Sequence, residues 1–255
     1  MQKITIKNRK NQNVVVVVEK AEKQKGLAFV MHGLSGSKEQ AHIEILAKAF
    51  RDNNYTVVRF DTTNTYGESD GKYEDATVTN YYADLEDVIA WSKNQDWYEE
   101  PFCLTGHSLG GFCTTYYAIK HREEVKAIAP ISPFISGELS IIAHGKKRID
   151  EWKKTGWKIE ESKTRPGLIK KLKWAHMEDR LKYNLLKDAD KLTMPFLLVV
   201  GENDESIPPD HQQLLFDKLP GKKEFHIIKG APHNFMEVKY LKEIYQIMDK
   251  WIKNL

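Results

Sequence analysis

Cysteine is scarce in this chain of 255 residues, which contains only Cys103 and Cys113. Two cysteines cannot build the disulfide framework on which small secreted domains depend. Both lie beside a phenylalanine, and in such apolar surroundings a free thiol behaves as a small hydrophobic side chain. We therefore expect neither a disulfide framework nor a structural zinc site.

Long hydrophobic runs and an excess of charge of one sign are also absent. No apolar run approaches the roughly 20 residues needed to cross a bilayer, and Met1–Lys7 alternates like a strand instead of forming the apolar core of a signal peptide. Lys and Arg number 39 against 36 Asp and Glu, a net charge of +3, which gives no reason to expect nucleic acid or a membrane as a partner. We expect a cytoplasmic protein, and the sequence leaves open whether it forms a homodimer.

Strand-like and helix-like segments alternate along most of the chain. Short apolar runs predict buried strands at Val14–Val18, Leu27–Met31, Thr56–Phe60, Phe102–Thr105, Val125–Ile131, Pro195–Val200 and Glu224–Ile228. Longer amphipathic stretches predict helices at Glu39–Asn53, Asn80–Asn94, Phe112–His121, Pro209–Leu219 and Tyr240–Ile252. This alternation predicts an α/β fold with a mostly parallel central sheet and helices on both faces. At the start of the chain, Lys3–Lys7 and Val14–Val18 predict an antiparallel hairpin.

The stretch of residues 136–183 breaks this alternation. It lacks a buried-strand run, carries 13 Lys and Arg against 7 Asp and Glu, and contains Trp152, Trp157 and Trp174. We interpret residues 136–183 as a helical cap inserted into a core formed by residues 1–135 and 184–255. Its tryptophans either line a pocket for an apolar or aromatic acyl group or pack the cap onto the sheet. Its basic residues either attract an anionic substrate or form a solvated face.

The strongest local motif is Gly106-His107-Ser108-Leu109-Gly110-Gly111, between the predicted strand Phe102–Thr105 and a predicted helix. A Gly-x-Ser-x-Gly motif in this setting is typical of a nucleophile elbow. A sharp turn from strand to helix strains the serine backbone, and small residues two positions before and after it let the two backbones approach. The turn places the hydroxyl at a helix N-terminus, where the helix dipole favours a developing negative charge. Ser108 is therefore the candidate nucleophile.

A serine hydroxyl needs a base, and the base needs a third group that orients it. Asp204 follows the predicted strand Pro195–Val200, where side chains reach the carboxyl edge of a parallel sheet. His233 lies in a loop before the last predicted helix, so the order Ser, acid, His predicts Ser108, Asp204 and His233 as a catalytic triad. We interpret the neighbouring acids as loop charges and two other histidines as structural: Glu202, Glu205, Asp210, His211 and His226.

Stabilising an oxyanion takes two backbone N–H groups aimed at the carbonyl oxygen as it becomes charged. We expect one from Leu109, directly after the nucleophile, and the other from Leu34. Leu34 lies in the segment His32-Gly33-Leu34-Ser35-Gly36, which follows the predicted strand Leu27–Met31 and opens toward a helix.

These motifs resemble those of the α/β-hydrolase superfamily over nearly the whole chain. The resemblance rests on His32-Gly33-Leu34, Gly106-His107-Ser108-Leu109-Gly110-Gly111, Gly201-Glu202-Asn203-Asp204 and Ala231-Pro232-His233. The stretch from Arg59 to Gly71 and the inserted cap are similar to those of small bacterial carboxylesterases, including the cinnamoyl and feruloyl esterase group. In many bacterial members of the superfamily the loop after the fourth strand has a shorter Asp-x-x-Gly-x-Gly spacing, whereas this chain carries Thr62-Thr63-Asn64-Thr65-Tyr66 after Asp61. The sequence therefore does not define the role of this loop.

The resemblance implies a serine carboxylesterase that acts through an acyl-enzyme on a small acyl or aromatic, cinnamoyl-type ester, without metal or organic cofactor. The same three residues would serve a thioesterase, a monoacylglycerol lipase or a peptidase, because the oxyanion chemistry is shared and the pocket selects the substrate. A third interpretation is a hydrolase fold that only binds its ligand. It predicts a broken triad, whereas Ser108, Asp204 and His233 are all present.

Overall fold

The computed structural model describes residues 1–162 and 166–255, and its centre is an eight-stranded sheet. The strands are β1 (Gln2–Lys7), β2 (Asn13–Glu19), β3 (Gly26–Met31), β4 (Tyr55–Phe60), β5 (Phe102–His107), β6 (Val125–Ile131), β7 (Trp157–Glu161), β8 (Ile169–Lys173), β9 (Phe196–Asn203) and β10 (Lys223–Pro232). The central sheet has the order β1-β2-β4-β3-β5-β6-β9-β10, and β7 and β8 form a separate hairpin.

Six strands of the central sheet run parallel, from β4 through β3, β5, β6 and β9 to β10. At one edge β2 runs antiparallel to β4, and β1 and β2 form the antiparallel hairpin that the sequence predicts. Because parallel strands end at the same edge of a sheet, the loops after β3, β4, β5, β9 and β10 come together there. The predicted fold class is confirmed.

Helices cover both faces of this sheet. They are α1 (Ala41–Asp52), α2 (Val78–Ser92), α3 (Leu109–Lys120), α4 (Gly137–His144), α5 (Lys146–Thr155), α6 (Ala175–Arg180), α7 (Pro209–Lys218) and α8 (Val238–Ile252). Helices α1 and α8 pack together in one apolar core, and α2, α3 and α7 contribute to the core on the opposite face. None of the helices in the described residues is long and apolar enough to cross a membrane.

The two cores explain why the strand signals are continuous apolar runs. All six residues of β3 are buried, with Phe29 facing one core and Val30 facing the other. Alternating side chains point to opposite faces of a strand, so a sheet covered on both faces needs an apolar residue at every position. Helix α8 is apolar on one side only, where Ile244 and Met248 lie four residues apart and fully buried.

Residues 136–183 contain more than the helices that the sequence predicts. Between α5 and α6, strands β7 and β8 pair in antiparallel register, with Trp157 opposite Lys173. Residues 163–165, which belong to the predicted cap, lie outside the described part of the chain. The division into a core and an inserted cap remains a prediction.

Leu172 is the one buried residue of this hairpin, so neither strand shows the alternation of a buried apolar face. Ile159 and Ile169 are exposed, and most of the other residues in both strands are Lys or Glu. The Glu160 carboxylate lies 3.1 Å from Lys158 Nζ in its own strand and 2.9 Å from Lys170 Nζ across the hairpin. A strand that is exposed and charged lacks the apolar alternation on which strand prediction depends.

Two of the three tryptophans of this segment, Trp152 and Trp174, pack against each other. Trp152 is buried, its indole N–H donates to the Leu172 carbonyl at 3.1 Å, and its ring meets Trp174 edge-to-face at 5.6 Å between centroids. A buried indole with a satisfied N–H serves as a core residue. For Trp152, the structure favours packing over lining of an acyl pocket.

Truncating a buried side chain of α8 tests the packing of this helix on the sheet. We expect Ile244→Ala to lower the free energy of unfolding by about 2–5 kcal/mol, because it opens a cavity between α8 and the sheet. The matched control is Val238→Ala in the same helix, where Val238 is 80% exposed and the change should stay within about 0.5 kcal/mol. Urea unfolding of both variants measures the difference, and equal losses would contradict this packing.

Candidate active site

Ser108 lies at the turn between β5 and α3 in a strained backbone conformation. Its φ of 55° and ψ of −115° place a residue with a β-carbon where such residues are rarely found. The turn is tight enough that a β-carbon on Gly106 would lie 2.7 Å from the carbonyl carbon of Gly110. A β-carbon on Gly110 would collide with the carbonyl oxygens of Met31 and His32. Both glycines are therefore required by the close approach of β5, α3 and the end of β3.

Three side chains from distant parts of the chain meet at this turn. Ser108 Oγ lies 3.1 Å from His233 Nε2, and His233 Nδ1 lies 2.7 Å from Asp204 Oδ2. The Asp204 carboxylate is fully buried, while the His233 side chain is 19% exposed. The imidazole thus stands between a hydroxyl and a carboxylate, in the arrangement that lets it accept a proton from one while the other holds its tautomer.

Asp204 is oriented by the loop that follows β9. Its Oδ1 accepts the backbone N–H groups of Ser206 at 3.0 Å and Ile207 at 2.8 Å, which leaves Oδ2 for His233. The neighbouring Glu202 instead accepts the N–H of Gly230 at 2.8 Å. The buried carboxylate of Asp204 is therefore held in place from its own loop.

The other histidines considered in the sequence lie elsewhere. His211 is buried in α7, and His226 lies within β10 at 3.4 Å from the Glu224 carboxylate. His233 itself follows β10 in the loop before α8. Of these three histidines, His233 is the one that contacts Ser108.

His107, the residue before Ser108, also contacts the His233 loop. Its Nε2 lies 2.9 Å from the His233 carbonyl oxygen, and because a carbonyl can only accept, this nitrogen carries the proton. The two rings lie 4.6 Å apart. Burial, with smaller contributions from His42 and His233, lowers the pKa of His107 well below its usual range, so this ring stays neutral.

The loop after β3 passes directly beside the serine. A β-carbon on Gly33 would lie 3.0 Å from Ser108 Cβ. The loop therefore packs against the candidate nucleophile at the residue directly before Leu34. His32 braces this loop: its Nδ1–H donates to the Gly33 carbonyl at 2.8 Å, and its Nε2 accepts the Thr62 N–H at 3.1 Å. Leu109 is the first residue of α3, and the first four N–H groups of a helix have no acceptor within it.

A buried ion pair, which the sequence analysis did not single out, ties this loop to the one after β4. Lys38 is 1% exposed and its Nζ lies 2.8 Å from Oδ2 of Asp61, whose side chain is fully buried. The same carboxylate accepts the backbone N–H of Lys38 at 2.7 Å and of Glu68 at 2.8 Å. Asp61 thus defines a role for the Arg59–Gly71 stretch, which is to anchor the loop that carries Leu34.

The described residues contain no group of three or more His, Cys, Asp or Glu side chains placed to hold a metal ion.

Comparison with known families identifies the chain. The family model described as serine aminopeptidase, S33, matches residues 22–170 and 158–237, which include Ser108, Asp204 and His233. The chain belongs to this family of hydrolases. The serine aminopeptidase S33 family assignment agrees with the α/β-hydrolase superfamily that the sequence motifs resemble.

Relatives of this S33 family member carry several hydrolase names. Palmitoyl-protein thioesterase ABHD10 from Bos taurus is 25% identical over 91% of this chain and 74% of its own length. Thermostable monoacylglycerol lipase from Bacillus sp. is 24% identical over 80% of this chain and 81% of its own length. A solved structure of Est1E from Butyrivibrio proteoclasticus with bound ferulic acid superposes with a TM-score of 0.81 at 20% identity, covering 98% of each chain. The predicted α/β-hydrolase fold, similar to that of bacterial esterases, is confirmed.

Removing the cation of the buried pair tests how strongly it holds the two loops. We expect Lys38→Met to lower the free energy of unfolding by about 3–5 kcal/mol, because the Asp61 carboxylate is left buried without its partner. Lys38→Met combined with Asp61→Asn should recover much of this loss, since the pair is then neutral. Urea unfolding measures both.

The control for the Lys38 and Asp61 variants is Lys253→Met, which breaks an exposed i,i+4 ion pair with Asp249. It should change the free energy of unfolding by less than about 1 kcal/mol. A Lys38→Met loss no greater than the Lys253→Met loss would show that the buried pair does not anchor the loops.

The buried histidines around the site predict sensitivity to acid. Burial lowers the pKa of His32 and His107, and lowers that of His42 to about 3. Below pH 6.5 the unfolded chain binds protons that the folded chain does not, so the free energy of unfolding should fall as the pH falls. His42→Phe removes one such group and should reduce this slope by about 1.4 kcal/mol per pH unit between pH 6 and 4. Urea unfolding at several pH values measures the slope, and an unchanged slope would contradict the neutral state of His42.

Proposed function

We propose that this protein is a serine hydrolase that cleaves carboxylic esters through an acyl-enzyme intermediate. The observation that carries the proposal is the continuous chain of contacts from Ser108 to His233 to Asp204, at 3.1 and 2.7 Å. The strained backbone at Ser108 supports it, because strain of this kind concentrates where a side chain must be presented for chemistry.

In the first half of the reaction Ser108 Oγ attacks the carbonyl carbon of the ester. His233 Nε2 accepts the hydroxyl proton, and the buried carboxylate of Asp204 stabilises the imidazolium that forms. When the tetrahedral intermediate collapses, the bond from carbon to the alkoxy oxygen breaks. The departing alcohol takes the proton from His233, and the acyl group remains on Ser108.

In the second half a water molecule replaces the alcohol. His233 Nε2 accepts a proton from this water as its oxygen attacks the acyl carbon, and the bond to Ser108 Oγ then breaks. The proton returns to Ser108 and the carboxylic acid leaves. His233 acts as base and then acid in each half, which requires only the one imidazole.

The backbone N–H groups of Leu34 and Leu109 are the proposed donors to the oxyanion in both halves. The start of α3 adds the positive end of a helix dipole beside Ser108. Support for Leu34 comes from Gly33, whose backbone abuts Ser108 Cβ, and from the His32 and Asp61 contacts that immobilise this loop.

A thioester is the second candidate bond, favoured by the relative named as a palmitoyl-protein thioesterase, whereas the relative named as a monoacylglycerol lipase favours an ester. The acyl-enzyme step is the same for an ester, a thioester and an amide, so Ser108, His233 and Asp204 do not discriminate between these bonds. The S33 family description leaves a peptide bond as a further candidate. A silent binding module is disfavoured by the intact contacts between Ser108, His233 and Asp204.

Two measurements test the proposal. A fluorophosphonate probe should label the wild-type protein at Ser108, and Ser108→Ala should abolish labelling and lower kcat by about 10⁶-fold. A panel of short aliphatic, aryl and cinnamoyl esters, a palmitoyl thioester, a monoacylglycerol and an aminoacyl amide then identifies the bond that is cleaved fastest.

His233→Gln should likewise abolish labelling, whereas His226→Gln is the matched control on the preceding strand and should retain both labelling and activity. A wild-type protein that resists the probe and cleaves nothing in the panel would overturn the proposal. Faster cleavage of the thioester or the amide than of every ester would assign the enzyme to that bond.

A further inference from the structure

Arg180, the last residue of α6, is a buried cation that lacks a carboxylate partner. The residue is 8% exposed, and its Nε donates to Ser140 Oγ at 2.9 Å. Its guanidinium carbon lies 3.9 Å above the centre of the Phe134 ring. Within the described part of the chain, no Asp or Glu oxygen comes within ion-pair distance, and Nη1 and Nη2 have no hydrogen-bond acceptor.

The other buried cations of the core show how unusual this is. Arg59 is 4% exposed and forms ion pairs with both Glu19 and Glu44. Lys38 is 1% exposed and contacts Asp61 and Glu68. Burying a charge without a partner carries a large desolvation cost, which is why buried arginines are almost always paired. Burial lowers the pKa of Arg180 to about 10, which still leaves it charged at neutral pH.

Arg180 is connected to the backbone of the candidate nucleophile through one residue, Phe134. Phe134, on which the guanidinium stacks, has its N–H 3.4 Å from the Ser108 carbonyl oxygen. The Phe134 ring also stacks on Phe112 of α3, with 4.0 Å between centroids. One aromatic side chain therefore separates the backbone of Ser108 from the unpaired charge.

The groups around Arg180 on the side of the predicted cap do not neutralise it. Arg180 contributes, after burial and Lys158, to lowering the pKa of His144 to about 3, so this histidine is neutral. Lys158 is itself paired with Glu160 at 3.1 Å. Asp179, the neighbour of Arg180 in α6, accepts both the N–H and the hydroxyl of Thr79 and pairs with Lys182. The local charge thus remains positive.

We propose that Arg180 is a specificity-determining residue that binds a carboxylate on the far end of the acyl group. This inference rests on the proposed ester hydrolysis at Ser108. The two unused nitrogens of the guanidinium match the two oxygens of a carboxylate. The preferred substrates are then half-esters of dicarboxylic acids, and the ligand completes the ion pair that the chain leaves open.

Matched pairs of substrates separate this role from general hydrolysis. Aryl half-esters of adipic, suberic and sebacic acid are compared with the same esters whose far carboxylate is capped as a methyl ester. For the wild type we expect a higher kcat/KM for the free carboxylate at one chain length. Arg180→Met should lower that kcat/KM by about 10- to 100-fold, mainly through KM, and leave the capped ester within about two-fold.

Variant controls exclude indirect effects. Arg180→Met replaces an unpaired buried charge by an apolar chain, so its Tm should equal or exceed that of the wild type. Arg180→Lys should keep part of the preference, because the charge remains while the two-pronged geometry is lost. Lys182→Met removes an exposed cation two residues away and should leave the preference unchanged. Calorimetric titration of Ser108→Ala with the best half-ester should show binding that Arg180→Met in the same background weakens.

The outcomes distinguish this inference from the function on which it rests. Loss of all hydrolysis in both substrate series would remove the proposed function itself. Cleavage of capped esters with no preference for a free carboxylate would overturn the role of Arg180 alone. A preference that survives in Arg180→Met but vanishes in 1 M salt would also overturn it, because exposed lysines are screened by salt far more than a buried pair.

Discussion

The backbone conformation of Ser108 is the constraint around which this site is built. A parallel strand and the helix that follows it must cross at a sharp angle, and the single residue between them adopts a φ of 55°. A non-glycine residue in such a conformation costs on the order of 1–3 kcal/mol. The structure maintains it with glycines at 106 and 110, which allow β5, α3 and the end of β3 to touch. The same packing points the serine hydroxyl out of the sheet and toward His233.

The carboxyl edge of the sheet explains how residues more than 100 positions apart become neighbours. The loop after each strand of a parallel sheet lies at this edge. Ser108, Asp204 and His233 therefore meet because each follows a parallel strand, β5, β9 and β10 respectively. The loops that carry these residues must also be fixed in position. Backbone N–H groups hold Asp204, and the buried pair of Lys38 and Asp61 holds the loop that leads from Leu34.

Much of this arrangement was predictable from the sequence. The parallel strands appear as continuous apolar runs because both faces are buried, and the order of Ser108, Asp204 and His233 predicts their convergence. The pairing of Lys38 with Asp61 was not predictable, because a lysine that becomes buried looks the same in sequence as one that remains on the surface. Arg180 raises the same difficulty. The hairpin of β7 and β8 escaped prediction because most of its residues are Lys or Glu and Leu172 is the one that is buried.

The hydrogen bond from His107 to the carbonyl of His233 links the last residue of β5 to the loop after β10. His107 directly precedes Ser108, so the backbone that carries the imidazole of His233 is fastened to the backbone that carries the hydroxyl. A shift of the end of β5 relative to the end of β10 would stretch this bond. This tie therefore opposes changes in the separation between Ser108 Oγ and His233 Nε2.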